Sequence, residues 1–250
     1  MSFDLNKHLA YLLLNEPFFA ALSRRVEKKQ DRSIPTAGVC LNKDHQRFEL
    51  LYNPDFFESL PENQRLGVLK HEFYHLIFDH VTSRKPEGVP HQKWNIAADL
   101  AINSHLVGEL PEGCCMPGEA PFEDLPAGMS AEWYLANLPD SPEGEGDGEG
   151  QPGQGEDGEG EGKPSPGNFD DHSGWEEAPS PEAQIAKERM KDAVKKAAAE
   201  AAKGNSWGSV SGEVKKEILK RLETKVDWKK VLRYFIKTSQ RANKSSTVRR

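Results

Sequence analysis

The residues with the clearest chemical potential in this chain are His71, Glu72 and His75, which form the pattern H-E-x-x-H. On a helix, side chains four positions apart lie one above the other on the same face. Two imidazoles placed in this way can hold one zinc ion, and the glutamate beside the first can act as general base on a water that the zinc activates. The pattern therefore predicts hydrolysis, most often of a peptide bond.

The sequence around this motif predicts the helix that the chemistry requires. Pro61 suits the first turn of a helix, and Glu62 suits the positive end of the helix dipole. Apolar residues then recur at helical spacing through the motif: Leu66, Leu69, Phe73, Leu76 and Ile77. The motif is therefore predicted to lie in the middle of an amphipathic helix. The alternative is that the two histidines are ordinary surface residues.

A catalytic zinc usually takes three protein ligands and leaves one position for water, so a third ligand must come from another part of the chain. The metzincin pattern would need glycine at position 78 and histidine at position 81, but the chain has Phe78 and Val81 there. That class is therefore excluded. The better candidate is Asp99, which lies in a second predicted helix over 94–103.

A polar stripe marks this second helix, because Asn95, Asp99 and Asn103 follow one another at a spacing of four. Burying such groups without partners costs free energy. The stripe makes sense if Asp99 binds the metal and the two asparagine side chains orient it. The alternative is that the stripe is the exposed face of an amphipathic helix.

Other polar residues compete for these roles. His105, and after it Asp79, rank behind Asp99 as the third ligand. Asp79 is also predicted to accept a hydrogen bond from an imidazole, because it lies eight residues after His71 and near the same helix face. His80 faces away from the two histidines by helical phase and is predicted to be solvent-facing or a helix cap.

The two motifs together resemble a known family. H-E-x-x-H at 71–75, followed by W-N-I-A-x-D-x-x-I-N at 94–103, is similar to the metallopeptidase domain found upstream of von Willebrand factor A (vWA) domains. The resemblance extends into P-F-F at 17–19 and into 226–235. It implies a zincin-like fold, a zinc ion (Zn²⁺), and partners of the vWA-domain and MoxR-type AAA ATPase kinds. Members often continue into a vWA domain, so the chain is either a stand-alone form or a part of a longer protein.

Composition narrows the class of protein. Hydrophobic residues make up 36% of the 250 residues and charged residues 29%, so part of the chain is expected to lie outside a core. No apolar run approaches the length of a membrane span, and the amino terminus lacks the layout of a signal peptide. Three cysteines, two of them adjacent, do not make a disulfide framework. The simplest expectation is a cytoplasmic protein with no membrane partner.

The predicted fold is α+β and mainly helical, and the chain divides into three predicted parts. Residues 1–140 form a zincin-like metallopeptidase domain, with further helices over 4–14, 17–29 and 130–137 and a small sheet with strands over 37–41 and 47–52. Residues 141–168 form a disordered acidic linker. The first 22 positions of this linker hold eight Asp or Glu and nine Gly, with no Lys or Arg.

The third predicted part, 169–250, is helical and basic and can pack back on the first part, with helices over 182–203, 211–223 and 227–240. From residue 183 onwards it holds 19 Lys or Arg against 7 Asp or Glu. The acidic remainder of the chain is a better predicted partner for this charge than nucleic acid, since no recognised nucleic-acid module is present.

Residues 169–175 directly follow the linker and combine two aromatic residues and a histidine with acidic residues, which is unusual in a flexible tether. Our hypothesis is that this stretch folds back with His172 near the zinc. There His172 could stabilise a tetrahedral intermediate or act as an extra ligand. The alternative is a docking segment remote from the metal.

Two classes of function fit these observations. One is a zinc metallopeptidase acting on peptide or protein substrates. The other is a non-catalytic, zinc-containing assembly or nucleic-acid-binding module that works with a vWA or AAA ATPase partner. The intact Glu72 favours the enzyme, because a structural zinc site has no need for a general base.

Overall fold

The computed structural model describes residues 4–139, 175, 180–223, 232, 233 and 236, apart from 83 and 205. Within these residues it contains eight helices and one three-stranded sheet, and 54% of them are helical. The predicted α+β, mainly helical class is therefore confirmed. The predicted linker and most of the predicted helix over 227–240 lie outside the described residues. None of the described helices is long and apolar enough to cross a membrane.

Two short helices open the chain. α1 (Leu5–Asn15) begins after Asp4, whose side chain accepts a hydrogen bond from the amide of Asn6. α2 (Pro17–Ser23) begins at proline, which is favoured at the first helical position because it has no amide hydrogen to leave unsatisfied. α2 is buried along most of its length, so it belongs to the core.

A small mixed sheet follows, made of β1 (Glu27–Gln30), β2 (Ala37–Asn42) and β3 (Arg47–Tyr52). β3 is central, with β1 parallel to it on one side and β2 antiparallel on the other. The two predicted strands are confirmed, but the helix predicted over 17–29 is wrong in its second half. It ends at Ser23, and the E-K-K-Q segment that follows it becomes β1, because pairing with β3 overrides the helical preference of those residues.

Four helices form the middle of the molecule: α3 (Pro54–Ser59), α4 (Glu62–Ile77), α5 (His91–Asn103) and α6 (Ala131–Asn137). α4 packs against β2, α2 and α5, and it is buried continuously from Leu66 to Ile77. α5 packs against both α4 and α6. Ser130 is the N-cap of α6, as the sequence predicted, and its hydroxyl accepts a hydrogen bond from the amide of Trp133.

Gly67 allows an unusually close approach to α4. A Cβ at this position would collide with the backbone carbonyl of Glu109, so only glycine fits. One turn later, Lys70 is 3% exposed in its side chain and forms an ion pair with Glu109. These two contacts fix α4 against the segment that follows α5.

The last two helices with full descriptions are α7 (Pro181–Lys203) and α8 (Gly212–Glu223). α7 packs against α2 and β3, mainly through alanines that allow close approach. Arg189 of α7 donates hydrogen bonds to the carbonyls of His45 and Gln46, at 2.8 and 2.9 Å. α7 therefore contacts the turn between β2 and β3 as well as the core.

Candidate metal centre

α4 and α5 bring His71, His75 and Asp99 together. The two Nε2 atoms are 2.8 Å apart, and Asp99 Oδ1 lies 3.3 Å from His75 Nε2 and 3.8 Å from His71 Nε2. All three side chains are buried. The histidines lie on one face of α4, and Asp99 approaches that face from α5.

The types and spacing of these atoms fit a metal ion. Two imidazole nitrogens and one carboxylate oxygen form a ligand set that catalytic zinc sites use. Ligands about 2.0–2.1 Å from a tetrahedral zinc lie about 3.3–3.4 Å from one another, and the three observed separations are distributed around that value. The three residues can therefore hold a metal ion with one tetrahedral position left over.

Glu72 directly follows His71 on α4 and is fully buried, with both carboxylate oxygens shielded from solvent. A buried carboxylate is costly in an apolar environment, and a nearby cation lowers that cost. Its position next to His71 is the one that a general base would take. The arrangement is therefore suited to activating a water at the free metal position.

The ring of His71 is oriented by Asn103. The amide nitrogen of Asn103 donates to the carbonyl of Cys115 at 3.0 Å, which turns its Oδ1 towards His71. Nδ1 of His71 lies 2.8 Å from that oxygen and must be the donor, because an amide oxygen only accepts. The lone pair of His71 is then on Nε2, the atom that faces Asp99.

His75 has a different neighbour, His80, whose Nδ1 lies 3.2 Å from Nδ1 of His75. Arg84 lies 2.9 Å from Nε2 of His80, and a guanidinium only donates, so a neutral His80 carries its proton on Nδ1. His75 then accepts at Nδ1 and carries its own proton on Nε2. To bind a metal at Nε2 as a neutral imidazole, His75 would have to carry its proton on Nδ1 instead, and its hydrogen bond with His80 would then be reversed.

Arg84 is itself held by Glu132, which accepts hydrogen bonds at 2.6 and 2.8 Å. Burial alone would raise the pKa of Glu132, but the hydrogen bond and charge of Arg84 outweigh it and lower that pKa to about 2. Glu132 therefore stays ionised near neutral pH, and the ion pair fixes the side of His80 that is remote from His75.

The prediction for His80 was wrong, and the end of α4 explains why. The helix ends at Ile77, and Asp79 adopts a left-handed backbone with φ of 59°. The chain therefore turns back, and the amide of His80 donates to the carbonyl of His75 at 3.0 Å. His80 is 1% exposed instead of solvent-facing.

The other predicted site residues lie in different places. Asp79 accepts a hydrogen bond from the hydroxyl of Thr82 and pairs with Lys187, so these contacts give no support to its role beside an imidazole. Asn95 is partly buried on α5, one turn before Asp99. His172 lies outside the described residues.

His105, the alternative third ligand, is not in the metal-ligating group found among the described residues. Its ring lies 6.1 Å from that of Tyr74, and the residue lines a cavity of about 540 Å³ together with Arg84 and Arg221. Burial lowers the pKa of His105, although Glu217 and Glu213 act in the opposite direction.

The structure adds one residue that the sequence analysis did not assign to the site. Trp175 is 5% exposed, and its ring lies 4.9 Å from that of His75 in an edge-to-face arrangement. It also lies 6.1 Å from the ring of His91, the first residue of α5. The only sequence signal was the unusual presence of aromatic residues beside an acidic linker.

Comparison with models of known protein families identifies a family. A family model described as "Putative metallopeptidase domain" matches residues 1–250. No curated protein and no solved structure matches the chain.

Proposed function

The chain belongs to this family of metallopeptidase domains, and from that premise we propose that it is a zinc-dependent peptidase with a zincin-like catalytic part. The observation that carries the proposal is the meeting of His71, His75 and Asp99 in one buried group, with the buried Glu72 next to His71 in the chain. The substrate class is a peptide or protein. The vWA-domain and MoxR-type ATPase partners stay predictions of the family resemblance.

In this proposal His71, His75 and Asp99 hold the metal. A zinc ion bound there would supply a Lewis acid that polarises the scissile carbonyl and lowers the pKa of a water. Glu72 accepts the proton of the attacking water and passes it to the leaving amine. Asn103 keeps the lone pair of His71 directed at the centre, as its hydrogen bonds indicate.

The proposal is tested first by metal content. Wild type and the His71→Ala and Asp99→Ala variants are purified, and their bound metal and zinc affinity are measured by mass spectrometry and chelator competition. We expect about one zinc per wild-type chain and a large loss of affinity in both variants. If Asp99→Ala kept the wild-type zinc affinity, the third ligand would have to be sought at His105 or Asp79.

Catalysis is tested separately by Glu72→Gln. This variant should keep zinc, because glutamine preserves the shape of the side chain and Glu72 is not a proposed ligand. Its hydrolysis of a peptide library should fall about 10²–10⁴-fold, because the general base is lost. Glu62→Gln, in the first turn of the same helix, is the matched control and should cleave like wild type. Full activity of Glu72→Gln would show that another residue is the base.

A further inference from the structure

The proposed centre is closed in the described structure. His71, Glu72 and His75 are 0% exposed, and Asp99 is 2% exposed. A scissile peptide must bring its carbonyl and the attacking water within hydrogen-bond reach of the base, about 2.6–3.2 Å. A substrate can therefore enter only by taking space that side chains of this chain now fill.

Trp175 fills such a space. It belongs to neither α4 nor α5, and it lies six positions before the first residue of α7. Its indole nevertheless packs against the ring of a proposed metal ligand at 4.9 Å and against His91 at 6.1 Å, with interplanar angles of 64° and 88°. The indole thus packs edge to face against both imidazoles.

We propose that Trp175 occupies, from within the chain, a subsite that receives an aromatic side chain of the peptide substrate. This inference rests on the proposed peptidase function. A side chain next to the scissile bond must lie beside the metal ligands, and the indole lies beside His75. Any substrate using this subsite must displace Trp175, so the same contact also inhibits the enzyme.

The test measures binding to the subsite independently of turnover. All proteins carry Glu72→Gln, so that no peptide is consumed, and are compared with and without Trp175→Ala. The ligand is a labelled peptide with the chain's own sequence around this residue, Ser-Gly-Trp-Glu-Glu, blocked at both ends. The control peptide has alanine in place of tryptophan, and free indole is the second control.

We expect the tryptophan peptide to bind the Trp175→Ala protein at least tenfold more tightly than it binds the protein that keeps Trp175. We also expect at least a tenfold preference over the alanine peptide. Equal binding to both proteins, or no preference for the tryptophan peptide, would overturn the subsite. Binding of free indole alone would also overturn it, since the variant would then contain only a closed packing cavity.

If Trp175→Ala does not fold, Trp175→Leu retains apolar volume and the same comparison is made with it.

Cleavage by the enzyme with intact Glu72 then separates the subsite proposal from the proposed peptidase function. Peptide binding without cleavage in any variant would remove the peptidase function and leave the subsite. Cleavage with no preference for an aromatic residue beside the cut bond would remove the subsite and leave the peptidase.

Discussion

Asn103 is the residue whose part in the centre the structure defines most sharply. It is fully buried, receives the Nδ1 proton of His71 and donates to the carbonyl of Cys115. The direction of both bonds is set by the chemistry of the amide group. Removing the amide would leave the proton of His71 without this acceptor and free the ring to rotate.

We therefore predict that Asn103→Ala lowers zinc affinity about 10–100-fold, the usual cost of losing a group that orients a metal-bound histidine. The measurement is chelator competition at fixed pH, with near-UV circular dichroism to check that the variant is folded. Gln92→Ala is the control, because Gln92 is exposed in the first turn of the same helix, α5. Equal losses in the two variants would assign the effect to the helix and not to the bond with His71.

Helical spacing in the sequence indicated which residues share a face wherever one regular helix contains them. The spacing of four put His71 and His75 on one face, and it put Asp99 and Asn103 on another, and the structure brings these faces together. Helical phase failed for His80, because the left-handed residue Asp79 breaks the helix before it. The position of Trp175 could not be derived, since no local pattern links it to α4.

At the scale of elements, the position of α4 depends on a close contact at Gly67. Glycine in the middle of a helix normally costs about 1 kcal/mol relative to alanine. Here the carbonyl of Glu109 occupies the place that a Cβ of residue 67 would take. With any other residue at 67, α4 and the segment after α5 could not approach so closely. The ion pair between Lys70 and Glu109 depends on the same approach.

We predict that Gly67→Ala destabilises the protein by about 1–3 kcal/mol, the usual cost of overpacking, despite its better helical preference. Urea unfolding followed by circular dichroism measures the free energy of unfolding. Gly212→Ala is the control, because nothing lies within 4 Å of a Cβ built at the start of α8, and stability there should be unchanged or slightly increased. A stabilising Gly67→Ala would mean that α4 and Glu109 are not in contact in solution.

The elements themselves were predicted well where periodicity is strong, as for α4, α5, α7 and the two longer strands. β1 was missed for a physical reason. Its four residues are mostly exposed and have no alternation of apolar and polar side chains. Only the partner strand, β3, supplies the hydrogen bonds that make this segment a strand, and that partner lies about twenty residues later.

At the scale of the whole molecule, the carboxyl-terminal helices complete the core that the amino-terminal residues begin. The ring of Phe18 in α2 stacks on that of Trp207 with 5.1 Å between centroids. Glu16 accepts a hydrogen bond from the amide of Ser209 at 2.8 Å, and Glu200 of α7 pairs with Arg25 at 2.5 Å. α7 also covers α2 and β3. The composition of 141–168 predicts a boundary at 140, and the sequence also predicts that the third part, 169–250, can pack back on the first.

We therefore predict that a fragment with residues 1–140 does not unfold cooperatively, because the apolar surface of α2 and β3 would be exposed to water. Thermal unfolding by calorimetry measures this, and co-expression of 169–250 as a second chain should restore a cooperative transition. The control is the full chain with 143–162 replaced by a Gly-Ser segment of equal length, which should melt like wild type. If the fragment alone melted cooperatively at the wild-type temperature, residues 1–140 would be an independent domain, and α7 and α8 would be an addition to it instead of part of its core.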